Sequence, residues 1–359
     1  MYFRTTYLAQ DLGIRIVLGG TPQNYENSEM VLRHNGPHEV VVRLRNATEE
    51  EISLGYEQLT LFCDASSYQE PNDAVHAMFQ SLSQGQLPED SVIPEWDEWK
   101  KDTYIAEGGA LKAAPPLRWL PRRFQSFFST VNGELRQAVG QTVSMLRWRG
   151  AIKGPHDPLS NKGTEWSLDG ENWYAYNAVQ LSVELEDSGT VHVTDTLHAD
   201  VETLIAEGTT EPIGHELFRE AWTLRHRNAR SALVIGVAAL EAGFKEFVAD
   251  LVPEASWLVE NLPTPPVHMM LREYLPHLPA RLEIDDQVLP PPEVILQTLK
   301  KAVSLRNKVA HVGQGVTPDK VQEILPAIED VLWLLDFYRG FGWAYNHITV
   351  ETKQRLEKA

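Results

Sequence analysis

Arg306, Asn307 and His311 are the side chains of this 359-residue chain whose types and spacing best suit chemistry. A guanidinium stays charged and presents a fork of donors that matches a phosphate, whereas histidine accepts and releases protons near neutral pH. Five positions separate the arginine from the histidine, so both fall near the end of one predicted helix. An arginine for phosphate and a histidine for the proton are the minimal groups for cleaving RNA.

The predicted helix begins at Glu293, and its apolar side chains recur at intervals of three, four and seven residues. These apolar positions are Ile295, Leu296, Leu299, Ala302, Val303, Val309 and Ala310. Arg306 follows Leu299 by seven residues, which places it in the middle of the apolar stripe. Because an unpaired guanidinium is costly to bury, Arg306 must reach solvent, pair with a carboxylate or face a cleft that binds an anion. This interpretation places the motif residues on the packing side of the helix.

The bare pattern of an arginine followed by a histidine five to seven positions later is weak evidence, because it recurs in the sequence. Two of the other matches, at 33–38 and 149–156, cross turn sequences, and a match at 272–277 has a proline directly before its histidine. Only the pair at 306 and 311 follows an uninterrupted amphipathic helix and precedes a glycine-containing exit. The context therefore favours the pair at 306 and 311 over the matches at 33–38, 149–156 and 272–277.

With this motif set among four or five amphipathic helices, residues 210–345 resemble the HEPN superfamily (higher eukaryotes and prokaryotes nucleotide-binding). The shared pattern is Arg306-Asn307-x-x-x-His311. A long first helix containing residues 238–242 and a last helix after the motif also fit the family. The resemblance is to RNase-type members, including Apea-like defence proteins. It implies a metal-independent endoribonuclease of a prokaryotic defence or toxin system, with an active site formed where two protomers meet.

The catalytic hypothesis gives each motif residue a role. His311 acts as general base on a ribose 2′-OH or as general acid on the leaving 5′-oxygen. Arg306 holds the phosphate, and Asn307 orients the histidine or bonds the scissile phosphate. Because one histidine cannot easily serve both proton transfers, we expect a homodimer or higher homo-oligomer. We also expect an RNA substrate, a phage-derived trigger or antitoxin partner, and no metal or cofactor.

Two other interpretations remain open. In the first, Arg306 pairs with Glu241 or a loop carboxylate, and His311 only caps a helix C-terminus, where its cation is favourable. In the second, the chain is a non-catalytic binding or dimerisation module that senses a ligand or partner. Nothing in the sequence resembles a Walker loop, a Rossmann fingerprint or a serine nucleophile elbow, so other enzyme classes lack support.

The charge of the chain is strongly acidic and uneven. The net charge is −18, of which residues 210–359 hold only −4, so −14 lies in residues 1–209. Such acidity argues against a general nucleic-acid binder. It serves solubility, or it keeps RNA away from the nuclease until a trigger acts. The single cysteine, Cys63, excludes an internal disulfide, and the absence of a signal sequence or long apolar run predicts a cytoplasmic protein with no membrane partner.

The pattern along the chain predicts an α+β protein with a β-rich sensing or regulatory region at 1–205, a helical bundle at 206–345 and a tail at 346–359. A sub-boundary is expected near 110–117. Strands are predicted at 14–18, 40–45 and 59–63, hairpins around Asp169-Gly170 and Ser188-Gly189, and mostly loop at 66–116 except for a helix at 74–82. Further helices are predicted at 124–149, 216–251 and 267–275, and from Thr317 with a kink at Pro326.

A basic and aromatic stretch at 118–124, together with Arg147-Trp148-Arg149, allows two interpretations. Arginine beside aromatic rings can clamp phosphate while bases stack. The alternative is that the tryptophans belong to the core and the arginines pair with nearby acids. The candidate RNA contacts on this hypothesis, joined by one lysine of the motif, are Arg122, Arg123, Arg147, Arg149 and Lys308.

Overall fold

The computed structural model describes residues 1–10, 12–18, 28–56, 59–91, 117–176, 191–261 and 266–358, without the side chains of 258–260. The chain divides into two compact units, Met1–Gly150 with Asp157–Thr210, and Ala151–His156 with Glu211–Ala359. The first unit contains an antiparallel sheet and the second is helical, which confirms the predicted α+β class with a β-rich N-terminal region. The turn expected at Ser188-Gly189 lies outside the described residues, as does the sub-boundary expected near 110–117 except for residue 117.

The first unit is built on a six-stranded sheet in the order β3-β4-β5-β1-β6-β7, and a short parallel pair joins β2 and β8. The strands are β1 (Tyr2–Ala9), β2 (Ile14–Ile16), β3 (Glu29–His34), β4 (Val40–Asn46), β5 (Leu61–Tyr68), β6 (Leu159–Ser167), β7 (Tyr174–Tyr176) and β8 (Val191–Val193). Its helices are α1 (Glu49–Ser53), α2 (Asp73–Ser83), α3 (Arg122–Arg149) and α4 (Asp195–Ala206).

Side-chain alternation along the strands produces the core of this unit. Along β1 alternate positions are buried, and Phe3 packs edge-on against Phe79 of α2 at 5.7 Å between ring centroids. Phe79 in turn lies 4.6 Å from Phe124 of α3. One face of the sheet is therefore covered by α2 and α3, both of which the apolar spacing predicts. The strands β1 and β3 were not predicted, although β1 carries the period-2 alternation that indicates a strand.

Two further sequence predictions concern hairpins. The hairpin at Asp169 is confirmed, because β6 and β7 pair antiparallel with Trp166 opposite Tyr174, and the Asp169 carboxylate accepts hydrogen bonds from its own turn. Val191–Val193 instead pairs in parallel with Ile14–Ile16. A parallel pair joins segments that are distant in sequence, so no local turn signal could reveal it.

The second unit contains α5 (Ile213–Leu224), α6 (Ala229–Leu251), α7 (Ser256–Asn261), α8 (Val267–Met269), α9 (Glu293–Val312), α10 (Pro318–Arg339) and α11 (Val350–Leu356). The prediction of one helix at 216–251 is wrong, since residues 225–228 separate α5 from α6. The Asn228 side chain accepts a hydrogen bond from the Ser231 backbone and so starts a new helix. The helix expected at 267–275 is a short α-helical turn that continues as a π-helical turn at Met270–Tyr274.

Two glycines allow α5 and α6 to pack closely. A Cβ added at Gly214 would lie 3.1 Å from the Cα of Gly243, and one added at either glycine would lie 2.7 Å from Leu332 Cδ2. Contact this close between two helix backbones requires residues without side chains. α10 then covers this crossing with the buried Leu332.

The C-terminal segment, predicted to be a tail from residue 346, packs onto the helical unit. Thr349 and Thr352 donate from their hydroxyls to the buried Asp330 carboxylate of α10, both at 2.6 Å. Thr317 and Pro318 begin α10 as expected, although the Thr317 side chain makes no capping bond. Among the described helices, none is both long and apolar enough to cross a membrane.

Candidate functional site

The motif helix α9 has the packing that its sequence predicts. Its buried face contains Ile295, Leu296, Leu299, Ala302 and Val309. The helix ends at Gly313, whose φ of 69° is the left-handed conformation of a C-terminal glycine cap. Ala310, which the spacing also assigned to the buried face, is exposed because it lies in the last turn.

Arg306 lies on the packing side of α9 and is paired. Its Nη2 donates to Glu241 Oε1 of α6 at 2.5 Å, and the two side chains are 26% and 22% exposed. Nε of Arg306 is buried and has no hydrogen-bond partner within the described part of the chain. The pairing with a carboxylate is one of the three outcomes that the sequence left open for this arginine. It explains how a guanidinium occupies an apolar stripe without the cost of an unpaired buried charge.

The placement of Asn307 and His311 on the packing side is wrong, because both residues are exposed. Each residue of an α-helix advances by about 100°, so a spacing of five turns His311 about 140° away from Arg306. Asn307 and His311 are one turn apart and differ by only about 40°. The helix therefore brings Asn307 and His311 to one exposed face and directs Arg306 elsewhere. Arg306 and His311 of one chain do not converge on a single point.

The exposed position of His311 suits proton transfer with an external substrate. His311 belongs to the last turn of α9. Asn307, one turn earlier on the same face, can hold the ring by a hydrogen bond from its amide. Lys308 is also exposed and can contact a phosphate.

The proposed RNA clamp of the first unit is not supported at Arg147 or Arg149. Arg147 is buried at 2% exposure, and Trp148 beside it is fully buried. Arg149 donates from Nη2 to Asp200 at 2.7 Å. These residues follow the alternative interpretation, in which the tryptophan is core and the arginine pairs with an acid. Arg122 and Arg123 are exposed at the start of α3, with Arg123 only 3.7 Å from Asp90.

A buried polar cluster in the helical unit was not predicted. His215 Nε2 lies 2.8 Å from Asp336 Oδ2 where both are almost fully buried, and the His215 ring lies 4.1 Å from that of Trp333. In the same region Arg219 is paired with Glu211. The contacts of His215 with Asp336 and Trp333 join α5 to α10 and hold their register. No local signal could identify them, because His215 and Asp336 are 121 residues apart.

Neither a cofactor site nor a metal site emerges from the described residues: no group of three or more His, Cys, Asp or Glu side chains is placed to hold a metal ion there. Comparisons with protein families, with curated proteins and with solved structures found no match. The functional argument therefore depends on the side chains themselves and on their geometry.

Proposed function

We propose that the chain is a metal-independent endoribonuclease of a prokaryotic defence or toxin system, acting in the cytoplasm. The observation that carries the proposal is the ion pair of Arg306 together with the exposure of His311. Arg306 is held by Glu241 before any substrate binds, while His311 is exposed at the end of the same helix with Asn307 on its face. A held cation and an accessible proton carrier are the groups that RNA cleavage needs.

The reaction uses the 2′-OH of RNA as the nucleophile. His311 removes the proton from this hydroxyl, the 2′-oxygen forms a bond to phosphorus, and the bond from phosphorus to the 5′-oxygen breaks. A protonated histidine supplies the proton that the leaving 5′-oxygen takes up. The products are a 2′,3′-cyclic phosphate and a 5′-hydroxyl. A guanidinium has five N–H donors, so the bond from Arg306 to Glu241 leaves donors for the charge that develops on the phosphate oxygens.

A second copy of the chain completes the proposed site. The turn of about 140° between Arg306 and His311 prevents one helix from presenting both to the same phosphate. Two α9 helices that meet near their C-terminal ends supply two histidines, one for each proton transfer, and an arginine from each protomer. The β-rich unit, which holds most of the acidic charge, is proposed to regulate access of RNA to this site.

A non-catalytic dimerisation or sensing module is the second candidate. It is favoured by the ion pair itself, because a carboxylate at 2.5 Å already satisfies one donor of Arg306 and neutralises its charge. In this case Arg306 and Glu241 only join α9 to α6, and His311 is an exposed helix-end residue without a substrate.

Cleavage of single-stranded RNA by the purified full chain in EDTA separates the two candidates. We expect wild type to produce 2′,3′-cyclic phosphate ends, His311→Ala to lose cleavage, and the matched control His192→Ala, which removes another exposed histidine, to keep it. RNA with 2′-O-methyl groups should remain intact. Equal cleavage by wild type and His311→Ala would contradict the assignment, and a folded wild type that cleaves no RNA would favour the non-catalytic module.

A further inference from the structure

The motif helix is basic in a strongly acidic protein. α9 holds four Lys and Arg residues against one carboxylate, Glu293, whereas the whole chain has a net charge of −18. Only one of the four cations, Arg306, lies on the packing side, where Glu241 neutralises it. The other three are the lysines Lys300, Lys301 and Lys308, and all of them are exposed. Their positive charge is therefore presented to solvent.

The three lysines share one face of the helix with His311. At about 100° per residue, Lys300, Lys301, Lys308 and His311 fall within a sector of about 100°. The axial distance from Lys300 to His311 is about 16 Å, at 1.5 Å per residue. We name the surface of Lys300, Lys301 and Lys308 the α9 basic face. It forms a line of charges that ends at the proposed proton carrier.

Glu293 and Glu323, the carboxylates whose pKa Lys300 and Lys301 help to lower, are each bonded by another cation. Glu293 accepts two hydrogen bonds from Arg272, both at 2.8 Å. Glu323 pairs with Lys320, which is the main reason that the pKa of its carboxyl is lowered, and Lys301 makes only a small contribution. Among the ion pairs of the described residues, which include Arg272–Glu293, Arg306–Glu241 and Lys320–Glu323, none involves these three lysines. Their charge is thus available to an external anion.

We infer that the α9 basic face binds the phosphate backbone of single-stranded RNA and leads it to His311. This inference rests on the proposed function and extends it from the motif to the path of the substrate. The spacing of the lysines along one helix suits a polyanion with repeated charges better than a single small anion. Lysine binds phosphates as a point charge without reading bases, so the face should contribute affinity without sequence preference.

The test measures binding separately from cleavage. The full chain is titrated into a fluorescent, 2′-O-methyl-blocked single-stranded RNA at several salt concentrations, and affinity is followed by anisotropy. The variant Lys300→Gln/Lys301→Gln/Lys308→Gln is compared with the control Lys353→Gln/Arg355→Gln/Lys358→Gln, which removes three cations from the C-terminal segment. Each phosphate contact on a single strand adds about 0.7 to the slope of log affinity against log salt. We expect the slope of the α9 variant to be smaller by about 2, and its affinity at low salt to be lower by at least about tenfold. The control variant should keep the slope and the affinity of wild type.

Equal slopes for the α9 variant and wild type, with both folded by circular dichroism, would overturn the inference. If wild type instead binds polyglutamate and not RNA, and the α9 variant loses that binding, the face docks an acidic protein and the inference is also wrong. Salt-dependent binding through the α9 basic face without cleavage of unblocked RNA would contradict the proposed function alone. Cleavage by a chain whose salt slope does not depend on these lysines would contradict this inference alone.

Discussion

The Arg306 guanidinium of α9 donates to the Glu241 carboxylate of α6 at 2.5 Å, although the two residues are 65 positions apart in sequence. The bond fixes an arginine within a stripe of otherwise apolar residues. It also fixes the direction of the guanidinium relative to the end of α9, where His311 lies. The functional role that we propose for Arg306 therefore depends on Glu241 as a positioning residue.

Substitution of Glu241 should lower RNA cleavage through the position of Arg306. We expect Glu241→Ala to reduce kcat with little change in KM, and Glu241→Gln to retain more activity because it keeps an acceptor oxygen. Both substitutions should destabilise the fold by about 1 kcal/mol, since one partner of a partly buried pair is changed. Steady-state kinetics measures the changes in kcat and KM, and urea unfolding measures the loss of stability separately. Faster cleavage by Glu241→Ala would show that Glu241 restrains Arg306.

Dilution of wild type with an inactive variant tests the composite site. If each active site needs a histidine from both protomers, a mixed dimer of wild type and His311→Ala is inactive. After exchange of subunits, activity should then fall with the square of the wild-type fraction, whereas independent sites would give a linear fall. The control is dilution with His192→Ala, which should leave activity unchanged. A wild type that sediments as a monomer at micromolar concentration would exclude the composite site.

The crossing of α5 and α6 should be sensitive to a single methyl group. Gly243→Ala places a Cβ 2.7 Å from Leu332 Cδ2 and 3.3 Å from the Cα of Gly214, so the backbones must move apart. We expect a loss of about 1–3 kcal/mol in the free energy of unfolding. The matched control is Gly133→Ala in α3, where an added Cβ meets nothing within 4 Å and should stabilise by about 0.5–1 kcal/mol. Equal effects of the two substitutions would show that α5 and α6 do not approach closely.

The ion pair between Glu51 and Arg45 should make the stability of the first unit depend on pH. The bond from Arg45 is the largest of the effects that lower the pKa of the Glu51 carboxyl from 4.5 to about 2. A lowered carboxyl pKa in the folded state stabilises the protein above pH 4.5, and this contribution is lost as the pH falls toward about 2. Glu51→Gln should therefore lower the urea midpoint at pH 7.

The difference between Glu51→Gln and wild type should shrink steadily below pH 4.5. Glu49→Gln is the control, because it removes another carboxylate from the first turn of the same helix without touching the Arg45 pair. A difference that persists unchanged at pH 3, or that appears equally in Glu49→Gln, would show that the ion pair is not its source.

Much of the fold could be predicted because its signals are local. The apolar spacing of α2, α3 and α9, the glycine that ends α9 and the Asp-Gly turn between β6 and β7 each lie within a few consecutive residues. A helix or a turn forms from such neighbours, so its pattern is present in the sequence itself. The Asn228 cap that divides α5 from α6 was equally local, and the long apolar run after it concealed the signal.

The sequence by itself determined the α+β class and the helix that carries Arg306, Asn307 and His311. It also determined the strongly negative net charge of the chain and the positive charge of α9. Only the tertiary structure decided which side chains meet and which remain exposed. Arg306 is paired because the fold places Glu241 of α6 beside it. Arg147, which the sequence offered as an RNA contact, is buried in the folded chain. Helical spacing is a property of neighbouring residues, whereas ion pairs and burial depend on segments that only folding brings together.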